Sequence, residues 1–298
     1  MPAAAIECHQ LTKCYGATIA LDSLDLEVRA GEVLGFLGPN GAGKTTTIRT
    51  LLDLLHPTSG RASILGLDTR RNGIEIRRRV GYLPGELVLP RRLTGNEYLD
   101  YLSALCGQRH HGGRELAERF ALDLTRPMRA LSKGNRQKLG LVQAFMHDPE
   151  VLVLDEPTSG LDPLVQQEFH ELLHDTTARG RTVFLSSHVL SEVQHIADRV
   201  AILRAGKLVV VEDVDSIRAK ALRRVEISFA GPAPDAEFAS LPGVISSEVI
   251  GDRVNLEVQG ELDPVVKAAA RHHVVDIDSR EADLDEVFLA YYREEVPQ

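Results

Sequence analysis

The chain has 298 residues, a net charge of −9, 43% apolar side chains and three cysteines. That balance excludes a disordered or disulfide-stapled protein and argues against general nucleic-acid binding, which needs a basic footprint. Apolar runs such as 151–154 and 208–211 are far too short to span a bilayer, and no charged-then-apolar segment opens the chain, so a cytosolic protein is expected, with any membrane passage left to another polypeptide.

Residues 6–11 and 20–28 alternate apolar and polar side chains, which predicts half-buried antiparallel strands. Residues 32–37 form a short apolar run that ends in GPNGAGKTT (38–46), and 44–55 then carries helical spacing. Arg70, Arg71, Arg77, Arg78 and Arg79 form a basic cluster, read as a solvated helix face. A strand is expected at 80–83, and mostly helical periodicity runs from 94 to 147, with Gly112-Gly113 and Pro127 as breaks. Buried parallel strands are expected at 151–154 and 182–186 with a helix over 163–178 between them, then a hairpin of 200–203 and 207–211 turning at Ala205-Gly206. This is an α/β core with an antiparallel β subdomain and a helical insertion near 86–148.

Past Asp213 the pattern changes, and a second domain is placed at 215–298 after a first at 1–214. A strand at 225–230, a helix at 236–241, a hairpin of 244–250 and 253–258, a helix at 264–272 and a strand at 274–278 give the order β-α-β-β-α-β of a small ferredoxin-like α+β unit. A closing helix over 284–292 is also expected.

The chemistry is concentrated in three phrases. In the first, Gly38, Gly41 and Gly43 let successive backbone N–H groups converge on one anion at the start of a helix. Lys44 supplies a point charge to β and γ phosphates, and Thr45 a hydroxyl for Mg²⁺. In VLVLDEPTSGLDP (151–163), Asp155 ends an apolar strand and is suited to a Mg²⁺ shell; strand alternation aims Glu156 elsewhere, to polarise the attacking water. The phrase LSKGNRQK (131–138) has no role in an ordinary phosphate-loop enzyme.

Together these phrases resemble the ATP-binding cassette nucleotide-binding subunits over roughly residues 6–211. The resemblance implies a phosphate-loop NTPase core and ATP with Mg²⁺ as cofactors. It implies that Tyr15 stacks on adenine, that Gly38, Asn40, Gly41, Gly43, Lys44, Thr45 and Thr46 hold phosphates, and that His188 contacts the γ-phosphate. Ser132 and Gly134 would reach the nucleotide of a second subunit, and the 159–162 loop, including Asp162, would carry communication between subunits. Glu156, His188 and Lys44 are the catalytic candidates; Thr45, Asp155 and Glu86 the metal candidates.

Two departures mark this chain. The family signature LSGGQ reads Leu131-Ser132-Lys133-Gly134-Asn135 here, and Gly85-Glu86 stands where the family has a metal-sensing glutamine. The resemblance implies a head-to-tail pair of subunits, a homodimer or a heterodimer, clamping two ATP molecules and energising separate integral-membrane permease subunits from the cytoplasmic face of the membrane. The chain's compact C-terminal extension resembles that of bacterial exporters for drugs, antibiotics or polysaccharides, with drug or antibiotic export the preferred reading. The alternative is a soluble cassette ATPase acting on ribosomes or DNA, which typically carries the paired cassettes or coiled-coil insertions missing here.

Overall fold

A computed structural model describes residues 4–105, 112–220 and 222–280. It divides into two compact units, the first ending at Val211 and the second starting at Glu212.

The first unit opens with β1 (Ala4–Tyr15) and β2 (Thr18–Arg29), both longer than their alternating centres predict. They pair antiparallel and are joined by β4 (Ser59–Ile64) and β5 (Leu67–Asp68) in the order β2-β1-β4-β5. The strand β4 escaped sequence reading because only Ala62 and Ile64 in it are buried apolar side chains, behind Gly60 and Arg61.

The second sheet holds β3 (Val33–Leu37), β6 (Val80–Leu83), β7 (Val151–Asp155), β8 (Thr182–Ser187), β9 (Arg199–Arg204) and β10 (Lys207–Asp213), ordered β10-β9-β3-β8-β7-β6. Every residue of β3, β7 and β8 is buried, as parallel strands covered on both faces must be. Their parallel registers put Leu37 beside Ser187 and Asp155 beside Ser186, so the three C-terminal strand ends lie side by side. Between the sheets a core including Leu24, Phe36, Ile48, Val153, Phe184 and Leu203 is closed to solvent, with the Phe36 and Phe184 rings 5.1 Å apart. Burying each such side chain is worth roughly 1.5–3 kcal/mol, which is what holds the strand ends in place. The β9–β10 hairpin turns at Ala205 and Gly206, both with positive φ (47° and 80°), as a tight two-residue turn requires.

Helix α1 (Lys44–Leu51) stops four residues short of the predicted end, because Asp53 adopts a left-handed backbone (φ 56°) that a helix cannot continue through. After α2 (Gly73–Arg79), the predicted helical insertion is present as α3 (Gly95–Leu105), α4 (Gly112–Arg119) and α5 (Lys133–Phe145). Gly112 and Gly113 open α4 rather than interrupt a helix, while Pro127 does break the run. Two further helices, α6 (Pro163–Ala178) and α7 (Leu190–Val193), flank β8 in sequence.

The second unit starts with α8 (Val214–Lys220), which the sequence reading did not anticipate. It then runs β11 (Leu222–Phe229), α9 (Asp235–Phe238), β12 (Val244–Ile250), β13 (Arg253–Gln259), α10 (Asp263–Ala269) and β14 (Val274–Arg280). The sheet order β12-β13-β11-β14, with antiparallel neighbours, is that of the expected β-α-β-β-α-β unit. Its own core gathers Val225, Ile227, Phe229, Phe238, Leu256 and Val265. The helix expected over 284–292 lies outside the described residues.

Candidate active site at the strand ends

The loop between β3 and α1 is shaped by steric limits. A methyl group on Gly38 would stand 2.5 Å from the Leu203 carbonyl, and one on Gly43, where φ is 113°, 2.6 Å from the Ala20 carbonyl. Neither position tolerates a side chain, so the backbone passes close and curls. By contrast, Gly41 (φ 82°) faces open space, and Asn40 beside it is exposed. No side chain caps the α1 N-terminus, so its leading N–H groups have no internal acceptor and can be satisfied by an anion.

The Lys44 ammonium is buried, donates to Gly38 O (2.6 Å) and lies 3.5 Å from Glu156 Oε1. From the next residue, Thr45 Oγ1 donates to Asp155 Oδ2 (2.9 Å), while Thr46 is half-buried. The Asp155 carboxylate also accepts from Ser186 Oγ (2.5 Å) and is 2% exposed. Burial first, and then the Asp155 charge, push the nearby Tyr82 phenol above its ordinary range, keeping it neutral.

Glu156 is not aimed by strand alternation as the sequence reading expected. The strand ends at Asp155, and Glu156 turns into the left-handed region with φ 52°. Its N–H donates to Ser186 O and Oγ, both at 3.2 Å, and its Oε2 lies 2.8 Å from His188 Nδ1. One continuous set of contacts thus joins Thr45, Asp155, Ser186, Glu156, His188 and Lys44, from the ends of three adjacent strands.

The other candidates lie outside that set. Tyr15 ends β1 and is 49% exposed, with the Lys13 ammonium 5.1 Å over its ring. Ser132 caps α5, its Oγ accepting from Asn135 N, and Asp162 caps α6, accepting from Val165 N. Gly134 packs on the loop that follows Glu156, where an added methyl would stand 3.0 Å from Gly160 O. Glu86 is exposed and lines a cleft of about 500 Å³ with Arg91, Arg129, Lys133 and Arg136 rather than touching Thr45 or Asp155. Gly85 is the neighbour that presses on Asp155. Sequence reasoning missed Ser186, Lys13 and Gln137, whose side-chain amide reaches the Glu156 carbonyl.

The Thr45 hydroxyl beside the Asp155 carboxylate is an oxygen donor pair suited to a small hard cation. Among the described residues no group of three or more His, Cys, Asp or Glu side chains forms a full cage. A cation completed by phosphate oxygens and water, as Mg²⁺ commonly is, fits such a site.

The chain is similar in sequence and fold to several known proteins. The family model described as ABC transporter matches residues 21–159. The bacitracin transport ATP-binding protein BcrA of Bacillus licheniformis is 38% identical over 229 residues, 76% of this chain and 75% of that protein. A solved ATP-binding subunit of an ABC transporter superposes with a TM-score of 0.67 at 31% identity, over 72% of this chain and 92% of that one. The dimeric cassette MJ0796, solved in a post-hydrolysis state bound to ADP and Pi, shares the fold with a TM-score of 0.65 at 22% identity, over 70% of this chain and 98% of that one.

Proposed function

The chain belongs to the ABC transporter family as an ATP-binding, ATP-hydrolysing subunit, and we infer from that premise how its own residues carry the reaction. Lys44 exchanges its contacts with Gly38 O and Glu156 for the β and γ phosphates, while the N–H groups of the 38–46 loop and the α1 N-terminus hold the remaining oxygens, with Asn40 and Thr46 at its rim. Tyr15 offers its ring to the adenine. Thr45 and Asp155 hold Mg²⁺, which when bound supplies positive charge to the phosphate oxygens.

Glu156 polarises the attacking water, and His188 orients that carboxylate through Nδ1 while its other ring nitrogen remains for the γ-phosphate. Ser132 and Gly134 complete the site of a second subunit arranged head to tail, and Asp162 fixes the start of α6 beside the same interface. ATP present in both sites favours the closed pair, and hydrolysis releases it, a population shift driven by contacts made in one state only. The pair would act from the cytoplasmic face on integral-membrane permease subunits, moving a drug- or antibiotic-class substrate; the similar protein of Bacillus licheniformis is named for bacitracin transport. Among the described residues no helix is long and apolar enough to cross a membrane.

The observation that carries this reading is Glu156 held between Lys44 Nζ at 3.5 Å and His188 Nδ1 at 2.8 Å. Glu156→Gln should retain ATP, sediment as a nucleotide-bound dimer and lose about 10²- to 10⁴-fold in phosphate release. Near-normal phosphate release from that variant would move the catalytic role elsewhere.

A further inference from the structure

Glu156 is a residue in a conformation that its own chemistry disfavours. A side-chain-bearing residue at φ 52° places Cβ against the following peptide, and the proline that follows, Pro157, restricts the residue before it to extended conformations. Such a geometry persists only where neighbours over-determine it. On the N-terminal side the neighbour is Ser186, which accepts from Glu156 N with both O and Oγ. On the C-terminal side it is Gln137 of α5. Its Nε2 donates to Glu156 O at 3.2 Å and to Pro157 O at 2.9 Å, so both amide hydrogens are used on two successive carbonyls. Gln137 is 8% exposed, which leaves little room for water to take over the bonds.

The start of α5 is seated on the same loop at two more points. The Lys133 stem lies 3.2 Å from where a Gly160 Cβ would stand, with Nζ 3.5 Å from Ser159 Oγ, and Gly134 packs on Gly160 O. A shift of this helix therefore reaches Glu156 through Gln137. The helix is the one that carries Ser132 and Gly134 toward the opposite nucleotide.

We propose that Gln137 is a positioning residue for hydrolysis: it locks the Glu156 backbone in the left-handed turn from which the carboxylate faces Lys44 and His188, and ties that turn to the position of α5. The inference rests on Glu156 being the water-polarising group. The side-chain amide of Gln137 donates to the Glu156 and Pro157 carbonyls rather than to the 38–46 loop, so its loss should act on turnover and not on binding.

The test uses the full-length protein and three variants, Gln137→Leu, Gln137→Glu and Glu156→Gln, with kcat, KM for ATP and equilibrium ATP binding measured from about pH 5.5 to 8.5. Gln137→Leu should lose about 10- to 100-fold in kcat, the scale of a misplaced catalytic group, with KM and ATP binding within about twofold of the parent. In Gln137→Glu the ionised carboxylate cannot donate and repels both carbonyls, whereas the protonated acid regains one O–H donor. Its kcat relative to the parent should therefore rise as pH falls, at constant KM. A merely structural role would change thermal stability without that rise. Should Gln137→Leu fail to fold, the Gln137→Glu profile still decides. A Gln137→Leu kcat within twofold of the parent, or a Gln137→Glu profile parallel to it, overturns the proposal while Glu156→Gln stays inactive. An active Glu156→Gln would instead remove the catalytic assignment beneath it.

Discussion

Replacing Gly85 with alanine is expected to leave the fold about as stable as before, yet to weaken Mg²⁺-dependent ATP binding about fivefold. A methyl group at this position would stand 3.1 Å from Asp155 Oδ2 and 3.3 Å from its Cγ, and Gly85 lies outside the left-handed region, so alanine meets no backbone obstacle. Removing the glycine's freedom from the unfolded chain contributes about 0.4–1 kcal/mol of stability. Against this, the Asp155 carboxylate must retreat a few tenths of an ångström while held by Thr45 Oγ1 at 2.9 Å and Ser186 Oγ at 2.5 Å. A hydrogen bond to a charged acceptor contributes about 1.5–3 kcal/mol, and loosening about a third of one costs about 0.5–1 kcal/mol. The two stability terms nearly cancel, and the thermal midpoint should move by less than about 2 °C. Nothing cancels the effect on the site, because the unfolded chain binds no nucleotide: about 1 kcal/mol there is about fivefold in affinity. Titration with ATP in Mg²⁺ and in chelator separates the outcomes. Equal weakening in both, or unchanged Mg²⁺-ATP affinity, refutes the argument that Gly85 keeps Asp155 in place for the metal.

Three further outcomes are expected. Glu86→Ala should change turnover by less than about fivefold, since an exposed carboxylate among arginines contributes at most about 1 kcal/mol; a larger loss at unchanged ATP affinity would restore a metal-sensing role to it. The His170 imidazole is held below its ordinary range by burial first and then by His195, with Glu192 opposing, so the stability it contributes is complete above about pH 6.5 and is lost as pH falls through the lower folded value. Thermal melts at about pH 7.5 and 5.5 should therefore show a smaller acid-induced drop for His170→Leu than for the parent, and equal drops would discount burial as the cause. A protein ending at Asp213 should still bind ATP, because every nucleotide motif lies in the first unit; weaker self-association or permease attachment without nucleotide would assign assembly to the second unit, and equal sedimentation together with equal permease attachment would deny it that role.

What could be read from the sequence was whatever is contiguous. The loop GPNGAGKTT, the pair Asp155-Glu156 and His188 each stand at the end of a short, fully buried strand, and burial on both faces writes the centre of such a strand as an apolar run. The second unit was legible for a different reason, since its strands alternate and its hairpin turns at Gly251-Asp252. What stayed hidden depends on distant partners. The bond from Gln137 to the Glu156 carbonyl crosses 19 residues, and the left-handed turn at Glu156 has no local cue, because proline next in line argues against it. The Lys13 ammonium over Tyr15 depends on a strand end whose register shifts irregularly, which alternation alone does not encode. Gly85 read as a missing glutamine; only the packing shows it as the space that Asp155 occupies.

That packing also orders the two departures in the chain. A glutamine at 85 would carry the same Cβ as alanine, so an amide cannot be restored there without first moving Asp155. Glu86 and Lys133 line one cleft with Arg91, Arg129 and Arg136, so the carboxylate adds negative charge where cations would otherwise stand alone. The cationic side chain at 133 in turn lays its stem on Gly160 and leaves Ser132 and Gly134 at the start of α5. The substitutions therefore change the charge around the site, while Lys44, Thr45, Asp155, Ser186, Glu156 and His188 remain linked by one continuous set of contacts at the strand ends. Because Lys44 is shared between Gly38 O and Glu156, a phosphate oxygen bound there as proposed would compete for the same ammonium that faces the carboxylate. On the proposed function, binding would release Glu156 from Lys44 and leave His188 as the contact that orients it, which would join nucleotide entry to the readiness of Glu156 to polarise water.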